Sequence, residues 1–128
     1  METGSTLHAF LTSNPAIAAV VGSRVYPVQL PQKPTLPAVR YNTISGLRTQ
    51  SQPGVQGLRR PRVQIDCYAE TYAAAVNLRE LVAARLNSYR GPAGVGTMQG
   101  AFLVNEYERF DDQSKAFIVS ADYYLWLP

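Results

Sequence analysis

Pro61-Arg62-Val63-Gln64-Ile65-Asp66-Cys67-Tyr68-Ala69-Glu70-Thr71 runs without a break into Tyr72 to Arg90. In the first half, Val63, Ile65, Cys67 and Ala69 alternate with Gln64, Asp66, Tyr68 and Glu70. A period of two predicts a strand with one apolar face. Pro61 cannot donate to a ladder, so it suits the start of the strand or an edge. From Thr71 the period changes. Ala74, Ala75, Leu78, Leu81, Val82, Leu86 and Tyr89 fall on one broad helical stripe, with Asn77, Arg79, Glu80, Asn87 and Arg90 mostly off it. Thr71 suits an N-cap and Gly91-Pro92 a stop. The expectation is a strand feeding an amphipathic helix of about five turns, the centre of a two-layer domain.

Toward the N-terminus, Ser5-Thr6 can cap a short helix through Leu7, Phe10 and Leu11. Asn14-Pro15 reads as a cap followed by proline in the first turn of a second short helix, which Gly22 can end. Arg24 to Val28 is a short strand or extended segment. Pro27, Pro31, Pro34 and Pro37 each remove an amide donor, so the stretch that follows is an extended surface connection rather than a central strand. Ala38 to Ser45 is the next strand. Gly46 to Gly57 is polar and punctuated by glycine, and reads as a flexible hairpin tip or long loop. Arg48 lies on one side of it and Arg59, Arg60 and Arg62 on the other, so closing the hairpin gathers four guanidinium groups. Arginine's planar fork suits phosphate or carboxylate partners. Two readings stay open: a contact loop for nucleic acid or a protein partner, and a plainly solvated loop.

Gly91 to Thr97 reads as a second flexible loop, and its glycine spacing fits no phosphate-binding fingerprint. Met98 to Phe110 is a strand or pair of strands, Asp111 to Lys115 a turn, and Ala116 to Leu127 the last strand. One face of that strand carries Phe117, Val119, Ala121, Tyr123 and Leu125. The other carries Ile118, Ser120, Asp122, Tyr124 and Trp126, and is too aromatic to be simply solvated. Tyr123, Tyr124 and Trp126 are therefore candidates for core or subunit packing. The whole is expected to be a single α+β domain over residues 1–128, an antiparallel sheet of about four to five strands with the long helix and a short N-terminal helix packed on it.

Composition narrows the function. The 128 residues are 46% hydrophobic and 16% charged, a globular chain with fewer charges than usual. Residues 1–65 hold seven bases and one acid; residues 66–128 hold five bases and eight acids. The halves thus carry +6 and −3 within a net +3. That is a chance imbalance, or a subunit whose basic and acidic sides pair between copies. No apolar run approaches the roughly 20 residues of a membrane span. The first residues show no secretory signal, and the lone cysteine fits assembly in a reducing cytoplasm. The catalytic inventory is poor. His8 reads as a surface residue of a short helix and Cys67 as a buried small hydrophobe. No second Cys or His completes a zinc site, and Glu106 with Glu108 reads as a charged strand edge. No catalytic, metal-binding or cofactor-binding residue is expected, and no cofactor.

The order of these features resembles the tail-completion, or tail-terminator, proteins of long-tailed bacteriophages and prophages. The residues that carry the resemblance are Ala19-Val20-Val21-Gly22, Arg24-Val25-Tyr26-Pro27 and the proline-rich Leu30 to Pro37 leading to Val39-Arg40-Tyr41. Arg62-Val63-Gln64-Ile65-Asp66-Cys67-Tyr68-Ala69 and Tyr72-Ala73-Ala74-Ala75 complete it. The resemblance implies a homohexameric ring that caps the head-proximal end of the tail tube. It implies as partners the tail tube protein, the head-completion or connector protein and, transiently and without sequence preference, the DNA passing through the lumen. No membrane partner is expected. Arg48, Arg59, Arg60 and Arg62 are the candidate lumen or partner-contact loop. The alternative is a small basic nucleic-acid-binding module, supported by a pI near 9.2 and by Tyr41 and Tyr68 close to the arginines in sequence.

Overall fold

The computed structural model describes residues 3–48, 59–93 and 96–127. In chain order the elements are α1 (Thr3–Thr12), α2 (Pro15–Val21), β1 (Val25–Pro27), β2 (Ala38–Arg48), β3 (Arg59–Ala69) and α3 (Tyr72–Leu86). They continue as β4 (Gly91–Ala93), β5 (Gly96–Met98), β6 (Gly100–Asp111) and β7 (Ala116–Trp126). A five-stranded sheet has the order β1-β2-β3-β7-β6, and β4 and β5 form a separate two-stranded sheet. The class is α+β, as expected.

The alternation in β3 is realised. Val63, Ile65 and Cys67 are buried beside Val39 and Tyr41 of β2 and Ala121, Tyr123 and Leu125 of β7. Leu7, Phe10 and Leu11 of α1, Ile17 and Val21 of α2 and Leu78, Val82 and Leu86 of α3 complete the same cluster, so all three helices cover one face of the sheet. Fully burying a large apolar side chain stabilises by roughly 1.5–3 kcal/mol, and this cluster is the main source of stability. Two of the expected N-caps act as read, whereas Ser5 and Thr6, expected to cap the first helix, lie inside α1, which begins at Thr3. Asn14 Oδ1 accepts from the amides of Ala16 at 3.0 Å and Ile17 at 3.1 Å, and Thr71 Oγ1 accepts from the Ala74 amide at 3.2 Å.

Four further expectations are corrected. The sheet is mixed rather than antiparallel, because β1 pairs parallel to β2 through Val25↔Val39 to Pro27↔Tyr41. Helix α3 is 15 residues long and stops at Leu86, short of Arg90. Past it, the Ser88 amide donates to the Ala101 carbonyl at 2.7 Å and Asn87 Oδ1 accepts from the Leu103 amide at 3.0 Å. Those bonds to β6 replace a further helical turn. Gly91–Ala93 and Gly96–Met98 are hydrogen-bonded strands where the sequence suggested a loop, with Gly94 and Val95 outside the described residues. Finally, Gly46 to Arg48 continue β2 instead of opening the long loop, whose remaining residues 49–57 lie outside the described residues.

Pro61 lies inside a central strand, yet the edge rule still holds. The ladder between β3 and β7 ends at Arg62↔Tyr124, so Pro61 has a neighbour on the β2 side alone. From that point β2 and β3 pair only with each other, from Gly46↔Pro61 to Arg48↔Arg59. A register shift between Thr43 and Ser45 marks where this two-stranded arm leaves the sheet, and it projects about 10 Å at ~3.3 Å per residue.

Candidate interaction face

The helices leave the other face of the sheet to the polar half of each alternation. The register brings Arg40 opposite Asp66, and Asp66 opposite Ser120. Asp66 has no exposed surface and is the hub of this face. Its Oδ2 accepts from Nε of Arg40 at 2.8 Å and from the same guanidinium's Nη2. Its Oδ1 accepts from Nε2 of Gln64 at 2.8 Å and from the Ser120 hydroxyl at 2.5 Å. A carboxylate removed from water needs partners of this number and charge. Arg40 also donates to the Val28 carbonyl at 3.1 Å, which ties the proline-rich segment to the sheet. Leu30 and Leu36 of that segment pack on Tyr68, Ala116 and Ile118, so this part of the second face is roofed. The predicted surface connection is therefore a strap over the polar face.

Toward the arm no described segment covers the face. Arg62 Nη2 donates to Asp122 Oδ2 at 3.0 Å, and this bond holds the guanidinium pKa above its ordinary value. The guanidinium of Arg60 lies 4.5 Å from the ring centre of Tyr124 and 5.5 Å from that of Trp126. Phe102 and Tyr107 of β6 add exposed aromatic surface. Nε of Arg62, Oδ1 of Asp122 and Oδ1 of Asn42 are buried without a hydrogen-bond partner. Arginine, tyrosine and tryptophan clustered on a half-covered face are the residues enriched at protein interfaces.

The predicted site residues divide as follows. Arg48 and Arg59 are directly opposite each other, Arg60 is opposite Leu47, and Arg62 is opposite Ser45, so all four arginine positions meet at one end of the β2–β3 hairpin. Tyr124 and Trp126 are half-buried on the uncovered face, beside Arg60. Tyr123 points the other way and is fully buried among the helices, which places it in the core. The Arg40–Asp66–Gln64–Ser120 network was not anticipated. Alternation alone puts each of these residues on a polar face, but only the register shows that they meet.

Groups that could have done chemistry are engaged otherwise. His8 is half-buried, with Nδ1 3.0 Å from the Val25 carbonyl oxygen. Burial pushes the Cys67 thiol pKa far above its ordinary value, so it is held as a thiol. Glu108 accepts from the Tyr72 hydroxyl at 2.7 Å, and Glu106 lies 3.6 Å from Nε of Arg79. An open groove of about 430 Å³ runs between the strap and the β6–β7 turn, lined among others by Arg40, Tyr68, Asp111 and Ser114. Its carboxylate, Asp111, is held below the usual range by the Ser114 hydroxyl at 2.5 Å. Among the described residues no cluster of three or more His, Cys, Asp or Glu could hold a metal ion, and no helix is long and apolar enough to cross a membrane.

A helix-backed sheet with an uncovered arginine–aromatic face and a projecting two-stranded arm describes a subunit suited to assembly. The family model for tail completion protein gp17 matches residues 5–127, and the chain belongs to that family. It is thus a structural protein of a phage tail. Among solved structures, a chain from the virion of a native gene transfer agent particle superposes with a TM-score of 0.70 at 14% identity, covering 96% of this chain and 91% of that one. At that identity the likeness is one of fold. No curated protein sequence matches.

Proposed function

We propose that this tail-completion subunit acts by forming a ring on the head-proximal end of the tail tube, where it stops tube growth and presents a surface to the head connector, with DNA passing through the lumen. Its partners are then further copies of itself, the tube protein and the connector protein, and its place is the head-proximal end of the virion tail. Residues 1–128 act as one unit in this reading. The observation that carries it is the charge separation across the sheet. The strand order puts β2 and β3, with five arginines and one acid (Asp66), on one side, and β7 and β6, with four acids and one arginine (Arg109), on the other. Two unlike surfaces on one chain are what a closed ring of head-to-tail contacts requires.

The alternative, a monomeric nucleic-acid module, finds less support on the same face. Arg40 and Arg62 are bonded to carboxylates, and the Arg60 guanidinium already covers the aromatic rings on which bases would stack. Light scattering with negative-stain imaging tests the ring, on the purified chain and on the chain mixed with isolated tail tubes. The expected result is a closed ring of roughly six subunits. A chain that stays monomeric alone and does not cap tubes, yet binds oligonucleotide with a steep salt dependence, would favour the module.

A further inference from the structure

The sheet has one blunted edge and one open edge. At the blunted edge β1 is three residues long, ends in Pro27 and has the His8 ring against its Val25 carbonyl. The other edge strand, β6, is 12 residues long and contains no proline; it is guarded by a register shift between Leu103 and Asn105 and by charge, which deters a like copy of the edge but suits a partner of opposite charge. Asn87 and Ser88 cover its start, at Ala101 and Leu103. From Val104 onward, no strand pairs with its outer side among the described residues. This open stretch is both apolar and acidic. Val104 and Phe110 are 42% and 45% exposed; Glu106, Glu108 and Asp111 lie between and beside them with one base, Arg109, which donates to the Ser120 hydroxyl at 3.3 Å.

The complementary charge on the same chain is the arginine end of the β2–β3 arm, and it cannot reach this edge within one copy. Arg60 lies level with the Gly100 end of β6, whereas Glu108 pairs with Val119 further along. The separation is about 23 Å along the strands plus two strand spacings of ~4.8 Å. We propose that the open outer edge of β6, from Val104 to Asp111, receives a second copy of the chain. The docking element is the arginine-bearing end of that copy's β2–β3 arm, Ser45–Arg48 with Arg59–Arg62. This contact rests on the ring reading and specifies it. It joins two different surfaces, so it propagates from copy to copy. The Glu106 and Glu108 carboxylates, which within one copy already face Nε of Arg79 at 3.6 Å and the Tyr72 hydroxyl at 2.7 Å, gain guanidinium groups through their remaining acceptor positions, while Val104 and Phe110 lose exposed apolar surface.

A charge exchange tests it. The edge variant is Glu106→Lys with Glu108→Lys; the arm variant is Arg59→Glu with Arg60→Glu. Each is expected to sediment as a single subunit under conditions where the parent chain forms the ring. Mixed one to one, each variant's arm faces an edge of opposite charge, and the expected result is an even-membered ring of alternating copies. Circular dichroism confirms folding. The single changes Glu108→Lys and Arg59→Glu, expected to weaken assembly without abolishing it, serve if a double variant does not fold. If folded variants each form the ring alone, or if the mixture stays unassembled, the contact is wrong while the ring stands. A parent chain that assembles under no condition, tube ends included, removes the ring and this contact together.

Discussion

Asp66 shows how a single buried charge constrains the sheet. Its two oxygens accept from three side chains, on β2, β3 and β7, so it links the three central strands through their polar face. Replacing it by alanine leaves Arg40 without its carboxylate and the Ser120 hydroxyl without its acceptor. Breaking a buried ion pair costs about 3–5 kcal/mol. The Arg40 side chain keeps 25% of its surface in water, so the lower end, ~3 kcal/mol, is expected for Asp66→Ala. For a domain of this size that lowers the melting temperature by roughly 10 °C. A calorimetric shift below about 3 °C would show that water replaces these bonds and that the network does not hold the strands. The sequence made Asp66 visible as a polar position in an alternating strand. It could not reveal the partners, because Arg40 and Ser120 are 26 and 54 residues away and meet it only through two ladders.

Elements with strong local signals were legible, and those set by distant partners were not. Helix α2 has a proline in its first turn, a Gly22 stop and an asparagine cap, all adjacent in sequence. Its seven residues are too few to hold a helix by propensity, so caps and the buried Ile17 and Val21 must supply stability. Asn14→Ala removes the acceptor for two amides and is expected to cost about 1 kcal/mol, or roughly 4 °C in melting temperature. Thermal denaturation of that variant beside Asn14→Ser, expected to stay near the parent, separates capping from mere disturbance. The end of α3, in contrast, depends on Asn87 and Ser88 bonding to β6, and the parallel pairing of β1 depends on β2 receiving it. The β4–β5 pair is glycine-rich and lacks the alternation by which strands are recognised, so its ladder left no trace in composition.

The charge asymmetry of the chain becomes intelligible only in the whole molecule. Seven bases up to residue 65 and eight acids from residue 66 onward look like an accident of composition until the strand order places five of those bases, on β2 and β3, and four of those acids, on β6 and β7, on opposite sides of one sheet. The gathering of the four arginine positions was legible, because a hairpin of any register brings the flanks of one loop together. Their relation to the β6 edge was not, because β6 becomes an edge strand only when β7 inserts between it and β3.

If ring contacts pair these two sides, salt must loosen the ring. The screening length falls from about 8 Å at physiological ionic strength to about 3 Å at 1 M, so sodium chloride should shift the assembly toward single subunits across that range. The apolar part of the same contact, Val104 and Phe110, responds the other way to sulfate, which strengthens burial. Sedimentation velocity in both salts at matched ionic strength distinguishes the two forces. Dissociation in chloride with partial retention in sulfate is expected for an edge that is both acidic and apolar. Assembly unchanged in either salt would mean that the ring is held by surfaces other than the charged ones, and would return the asymmetry to accident.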